Sequence, residues 1–319
     1  MRKELVRMIP EPSKKVLRLL VIYPLRSYFR YFPLRAGKKL LWRHLASHLW
    51  WLESNTKART RFGRVLEVDA RDIQGRFISC FGVWEPQVTA CIQARLREGD
   101  GFIDVGANIG YYSLLAAGLV GPGGKVVAIE AVPRTFESLK RNLAANGIEN
   151  VRSLNIAAWD RQQVLTMFVE PSRITGTSTL VPDRAGKWEL GGRCEVRADA
   201  LAKILDSEEI RLARLIKIDV EGAEWRAVSG LIPVLRAGRR DLEIIIEIAT
   251  DLDVEGKTYR NVLSLFREEG FFPYLIENDY SVASHISNTT VKRPKRMEGV
   301  PAGVDEIDVI FSRRDEASI

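Results

Sequence analysis

The chain predicts an α/β fold: a Rossmann-like, doubly wound sheet of seven strands with a helical, basic N-terminal extension. Three observations carry this. From residue 99 onward, strand-length apolar runs alternate with segments of helical period. A glycine-rich turn, Gly106-Ala107-Asn108-Ile109-Gly110, follows the first of these runs. Acids stand at the carboxyl ends of later runs, where open α/β sheets bind ligands.

The bounds agree. At 319 residues and 46% apolar composition, the chain can hold one substantial domain with an extension, and wholesale disorder is not expected. Cys80, Cys91 and Cys194 form no CxxC pair, and the only histidines are His44, His48 and His285. Neither a disulfide framework nor a His/Cys metal centre is expected, and the natural compartment is a reducing, cytoplasmic one.

Residues 1–60 form the extension. The net charge of +7 is unevenly spread, with sixteen Lys and Arg against three Glu in residues 1–64. Aromatics lie among the cations: Tyr23, Tyr28, Phe29, Tyr31, Phe32, Trp42, Trp50 and Trp51. The longest uncharged apolar run, Leu19 to Leu25, is far short of the roughly 20 residues that cross a bilayer. No secretory cleavage site follows it. One reading is a helical cap with a solvated basic face. Another is peripheral contact with an anionic membrane, at the inner membrane surface, with rings at the interface. Nucleic-acid binding is disfavoured, because no recognisable RNA or DNA fold accompanies the charge.

Residues 61–98 lead in. Val65 to Val68 and Phe77 to Phe81 read as paired strands around Asp69 to Asp72 and Gly75. A helix over Glu85 to Arg97 follows, with Val88, Cys91, Ile92 and Leu96 at helical spacing.

The core domain, residues 99–315, opens on the strand Phe102 to Val105 and a helix starting at Tyr111. Glycines in the turn between them let the backbone pass close to a ligand, and Asn108 tolerates a left-handed conformation. Counted from Gly106, a dinucleotide fingerprint would need glycine where Asn108 and Tyr111 stand. The next strand, Lys125 to Ile129, ends in Glu130, placed to accept both hydroxyls of a ribose. A glycine turn and a ribose acid without the third glycine fit S-adenosylmethionine better than NAD. Asp104, Gly106, Ala107, Asn108, Gly110, Tyr111, Glu130, Ala131 and Ala157 are the expected cofactor contacts, together with Asp219.

Pro133 opens a helix with Phe136, Leu139 and Leu143 on one face, ended by Asn146-Gly147. Val151 to Ile156 read as a third strand, followed by Ala157-Ala158-Trp159-Asp160, small residues able to wall an adenine. Trp159 reads either as a stacking ring or as core. Residues 163–198 read as an insertion, with a strand at Val164 to Val169 and a polar loop at Thr175 to Thr179. Such an insertion shapes a substrate mouth or is only a hairpin tip.

The second informative stretch is Leu215-Ile216-Lys217-Ile218-Asp219-Val220-Glu221-Gly222-Ala223-Glu224. Alternation puts Lys217, Asp219 and Glu221 on one side of a strand. The next strand, Leu242 to Ile248, brings Glu247 to the same edge, and burying such acids together is costly unless they are paired. Glu224 falls in the first turn of the following helix, where an acid offsets the dipole. A helix near Tyr259 to Glu269, strands at Phe271 to Ile276 and Ile307 to Phe311, and a mobile loop at 285–300 complete the chain. The final strand pair is expected of a methyltransferase sheet and not of a dehydrogenase.

Four segments in order, Gly82-Val83-Trp84-Glu85-Pro86, Phe102 to Gly110, Glu130-Ala131-Val132-Pro133 and Ile216 to Glu224, resemble the successive motifs of the FkbM-family methyltransferases. The similarity covers about residues 80 to 275. It implies a class I, seven-stranded S-adenosylmethionine fold and methylation of hydroxyl groups on sugars and polyketide-type metabolites. The N-terminal extension adds to the family pattern.

The residues argue the reaction independently. No Asn/Asp-Pro-Pro-aromatic turn of an amino methyltransferase follows the fourth strand, and no Pro-Cys nucleophile of a cytosine-carbon enzyme is near. Methylating an alcohol needs a base and in-line positioning. Asp219, Glu221 or Glu247 is the expected base, with Lys217 orienting it; if Asp219 contacts the methionine amino group, Glu221 is the better base. Carboxylates and water would suit magnesium or manganese, but no metal is expected. The expectation is an S-adenosylmethionine-dependent O-methyltransferase acting on a sugar, glycolipid or related small metabolite. An NAD-dependent oxidoreductase and a non-catalytic cofactor-binding scaffold are the alternatives.

Overall fold

The computed structural model describes residues 10–32, 37–42, 55–170, 178–187, 189–251, 254, 256–279, 281–286, 291–301 and 303–319. The chain divides into two compact units, residues 1–86 with 279–290, and residues 87–278 with 291–319.

In the first unit a helical stretch runs from Glu11 to Tyr31, with a π-helical turn over Arg18–Ile22. Pro24 explains the turn. Its ring would crowd the carbonyl four residues back, and widening the preceding turn relieves this. Ile22 and Phe29 are buried, while Arg30 donates to the carbonyls of Arg59 and Thr60. Strand β1 (Thr56–Arg59) pairs antiparallel with β2 (Val65–Val68). Phe29, Trp42, Phe77, Phe81 and His285 form one aromatic cluster, with His285 4.1 Å from Phe77 between ring centroids. His44, His48, Trp50 and Trp51 lie outside the described residues.

The expected strand at Phe77–Phe81 is instead a helix, Ile73–Phe81, ended by Gly82 at φ 70°. All five residues from Phe77 to Phe81 are buried, so no amphipathic period distinguishes helix from strand. The true partner of β2 is a short polar strand with little strand signature in its sequence.

The second unit opens with the helix Pro86–Arg95 and is built on an eight-stranded sheet. Its strands are β3 (Gly101–Val105), β4 (Lys125–Ile129), β5 (Val151–Leu154), β10 (Ala213–Ile218), β11 (Glu243–Ala249), β12 (Phe272–Ile276), β13 (Lys295–Arg296) and β14 (Glu306–Ser312). The spatial order is β5-β4-β3-β10-β11-β14-β12-β13. Strands β3, β4, β5, β10 and β11 pair in parallel, and β14 lies antiparallel between β11 and β12. The expected seven-stranded sheet with its antiparallel final pair is therefore present. A two-residue edge strand, β13, extends it within the segment expected to be a loop.

Helices Tyr111–Val120 and Pro133–Ala145 follow β3 and β4 in the βαβ manner. Ile103, Val127, Ile216, Ile244, Ile246, Phe266 and Phe271 are fully buried in one apolar core. The continuous burial of β3 and β10 is what strands covered on both faces show, and β11 departs from it only at Glu247.

A smaller sheet, β6-β9-β7-β8, fills the insertion: β6 (Ala157–Trp159), β7 (Gln163–Val169), β8 (Ser178–Thr179) and β9 (Gly192–Ala200). The expected strand to Ile156 stops at Leu154, and Ala157 starts pairing with Ala198 in this second sheet. Most of the loop expected at Thr175–Thr179 lies outside the described residues; its end is β8. Among the described residues, no helix is long and apolar enough to cross a membrane.

Candidate active site

The turn after β3 is set by its glycines. Gly106 has φ 82°, and a Cβ there would run into the carbonyl of Asp219, so the ends of β3 and β10 meet only because the position is glycine. The Gly106 and Ala107 amides both donate to Ile129 O at 2.9 Å, and the Asp219 amide donates to Val105 O at 2.9 Å. Gly110, at φ 91°, faces Leu139 closely enough that a side chain there would clash. It gives the helix its close approach, a task the dinucleotide fingerprint gives to its third glycine. Asn108 adopts the expected left-handed conformation, φ 50°.

Glu130 leaves the end of β4 and turns its carboxylate back on this loop. One oxygen accepts the Asn108 amide and the other the Val132 amide, each at 2.9 Å. Each oxygen keeps a lone pair for a further donor. Burial pushes the Glu130 carboxyl up to about 7 despite those two amide bonds. Asn155, which the sequence did not single out, donates to the carbonyls of Glu130 and Ala131 and fixes the turn.

At the end of β10, Lys217 is buried and pairs with Asp219 at 2.8 Å, its ammonium 4.8 Å from the Tyr112 ring centre. Lys217 lies opposite Asp104 in the β10–β3 register. Burial raises the Asp104 carboxyl to about 6, opposed by Lys217 and by a 2.6 Å bond from Ser113. The strand ends at Ile218, so Asp219 to Gly222 form a turn and strict alternation does not continue to Glu221. Glu221 takes φ 53° and Gly222 φ 101°, and the Glu224 carboxylate accepts the Gly222 amide at 2.7 Å. Burial raises the Glu224 carboxyl to about 7.

The Glu221 side chain retains 35% of its exposure at the cleft. Burial of its carboxylate, then repulsion from Asp219, pushes it up to about 8, while Arg184 and Lys217 pull the other way. Carboxylate oxygens of Glu221, Glu247 and Glu306 lie within 4.8 Å of one another. Arg184, from the helix Pro182–Lys187, pairs with Glu221 at 3.8 Å and with Glu306.

These elements form a cleft lined by Gly106, Asn108, Glu130, Ala131, Ala157, Asp219 and Glu221, with Thr135, Ile156, Met167, Ser178 and Leu180. Of the expected cofactor contacts, Asp104, Ala107, Gly110 and Tyr111 do not line it. Tyr111 is buried with its hydroxyl 3.2 Å from Thr89, and Asp104 acts behind the wall through Ser113 and Lys217. Lys217, which is buried, and Glu247, which is half-buried, do not line the cleft either. Arg184, Glu306 and Asn155 were missed because long-range pairing brings them in, and no local pattern marks them.

The cleft fits S-adenosylmethionine in two respects. The Asn108 Oδ1 atom is buried without a hydrogen-bond partner. Asp219, Glu221 and Glu130 outnumber the cations around it, which suits a ligand carrying a sulfonium and an ammonium. Glu130 and Ala157, the residues expected at the ribose hydroxyls and the adenine face, both line the cleft.

Residues 104–273 match the methyltransferase FkbM domain. The chain is 27% identical over 223 residues to 31-O-demethyl-FK506 methyltransferase FkbM of Streptomyces tacrolimicus, covering 62% of this chain and 82% of that protein. It is 28% identical over 164 residues to the methyltransferase sdnD of Sordaria araneosa, covering 43% of this chain and 62% of that protein. A 61-residue stretch, 19% of this chain and 28% of that protein, is 43% identical to protein-L-isoaspartate O-methyltransferase 1 of Archaeoglobus fulgidus. The chain thus spans less than two thirds of the length of the last two relatives. The M. jannaschii TYW2 structure in complex with AdoMet aligns at a TM-score of 0.42 and 14% identity, over 82% of this chain and 88% of that one. With its domain match extending over more than half of the 319 residues, the chain belongs to the FkbM family of S-adenosylmethionine-dependent methyltransferases.

Proposed function

We propose that the protein methylates a hydroxyl group of a sugar, glycolipid or related small metabolite, with Glu221 as the general base. S-adenosylmethionine supplies the electrophilic methyl group. Glu130 and the Asn108 loop bind and orient the nucleoside end. Asp219, held by the Lys217 ammonium at 2.8 Å, is placed to receive the methionine amino group. Glu221 would take the proton of the acceptor hydroxyl as that oxygen bonds to the methyl carbon, the methyl–sulfur bond breaking to leave S-adenosylhomocysteine.

The observation that carries this reading is the place of the Glu221 carboxyl, on the cleft lining next to Asp219 with its side chain 35% exposed; burial and then the Asp219 charge push it up to about 8. Such a group is a stronger base than a free carboxylate, and it is ionised in a growing fraction as pH rises toward 8. Turnover should rise with pH to a midpoint near 8. Glu221→Gln should cut kcat by about 10²–10⁴-fold, the usual worth of general-base catalysis, while S-adenosylhomocysteine affinity stays within a few-fold. A Glu221→Gln enzyme with wild-type kcat on a hydroxyl acceptor would remove the assignment.

A specific observation favours a membrane-borne acceptor. Val16, Leu19, Leu20 and Tyr23 follow i, i+3, i+4, i+7 spacing on the N-terminal helix and are 53%, 54%, 72% and 46% exposed. Arg18 lies on the same helix, in a segment whose sequence is strongly basic. An apolar stripe beside cations suits peripheral contact with an anionic bilayer. Vesicles containing about 30% anionic lipid should co-sediment the protein, with binding weakened at least several-fold by Leu19→Glu/Leu20→Glu, since a buried CH₂ is worth ~0.8 kcal/mol. Equal sedimentation of that variant would remove the membrane reading.

A further inference from the structure

We propose that Arg184 is a positioning residue of this site: its guanidinium supplies the cation that holds Glu221 and Glu306 together and keeps Glu221 available as proton acceptor. The inference rests on the reading of Glu221 as the base.

Three carboxylates approach one another here from three elements: Glu221 from the turn after β10, Glu247 from β11 and Glu306 from the start of β14. Like charges at such distances oppose ionisation unless a cation stands among them. Arg184 is that cation. Its side chain is 7% exposed and pairs with both Glu221 and Glu306. A guanidinium remains charged at any working pH, and its planar fork can serve two carboxylates at once.

The segment carrying Arg184 is fastened to the same residue a second time. Thr179 Oγ1, in β8, donates to the Glu221 carbonyl at 2.6 Å and accepts the Val181 amide at 3.1 Å. Backbone and side chain of Glu221 are therefore both tied to residues 179–184, at a position whose φ of 53° a glutamate does not adopt without support. Among the described residues, Asp219, Glu224 and Lys217 also act on Glu221. Lys217 is engaged with Asp219, and Arg184 pairs with the outer carboxylates Glu221 and Glu306.

The test compares wild type, Arg184→Lys, Arg184→Met and Arg184→Met/Glu306→Gln in two measurements. The first needs no acceptor: thermal melting with saturating S-adenosylhomocysteine from pH 6 to 9, with EDTA or with MnCl₂. Arg184→Met should lose more Tm at pH 9 than at pH 6, because its acids ionise unpaired. Adding Glu306→Gln should recover part of that loss at pH 9, and wild type should melt alike in EDTA and MnCl₂. A Tm loss equal at all pH values and unrelieved by Glu306→Gln means a packing role and overturns the proposal. So does stabilisation of wild type by manganese, which would make a metal the missing cation.

The second measurement is the pH profile of kcat on an acceptor with a free hydroxyl that the wild type methylates. Its rising limb should move up by about one pH unit or more in Arg184→Met and by less in Arg184→Lys, with KM for S-adenosylmethionine within threefold. An unmoved limb overturns the proposal. The two readings fail separately. If Glu221→Gln retains full turnover, the base assignment falls whatever the melting shows; if Glu221→Gln is inactive but the Arg184 variants melt and titrate like wild type, only the role of Arg184 falls.

Discussion

At the residue scale, the chemistry divides between groups that touch the cleft and groups that act from behind it. Glu130 and Glu221 line it, and burial raises both carboxyls. Asp104 and Lys217 are buried more deeply and set the wall in place, through Ser113 and Asp219. The sequence marked all four, because an acid or lysine in an apolar strand is conspicuous. It could not assign the two layers, since exposure depends on where the strand ends, and β10 ends at Ile218. Gly106 shows how much one residue can carry. Its φ of 82° and its contact with the Asp219 carbonyl leave no room for a side chain. Gly106→Ala should therefore destabilise the protein by about 2–5 kcal/mol and abolish S-adenosylhomocysteine binding. Chemical denaturation reads the first and calorimetry the second; an alanine variant with wild-type stability would show that the two strand ends can part at no cost.

At the element scale, legibility followed how each segment buries its side chains. Strand β4 and the helix from Pro133 fall where the pattern puts them, because a continuous apolar run and a one-sided amphipathic period are distinct signals. The helix Ile73–Phe81 was misread as a strand because it is buried all round. Strands β6 and β9 pair across some forty residues, and only the tertiary structure shows that Ala157 belongs to a second sheet. The same distance hid Arg184 and Glu306. Their pairing joins a six-residue helix to a strand more than a hundred residues later, and neither segment carries a local motif.

At the scale of the whole molecule, the strand order β5-β4-β3-β10-β11-β14-β12 places the Gly106 turn, Glu130 and Asp219 at the carboxyl ends of adjacent central parallel strands. That is the crevice where open α/β sheets hold ligands. The antiparallel β14 between β11 and β12 brings Glu306 to the same rim. This topology follows from few residues, which is why the Gly106 turn and Glu130 were legible from motifs, while Arg184 and Glu306 were not. The turn and Glu130 also offer the most direct test: calorimetric titration of wild type and Glu130→Gln with S-adenosylmethionine, S-adenosylhomocysteine and NADH. Wild type should bind the first two with Kd values on the order of micromolar, about −8 kcal/mol, and Glu130→Gln should bind them at least tenfold more weakly. NADH should give no heat. Binding of NADH, or undiminished binding of S-adenosylmethionine by Glu130→Gln, would contradict the account.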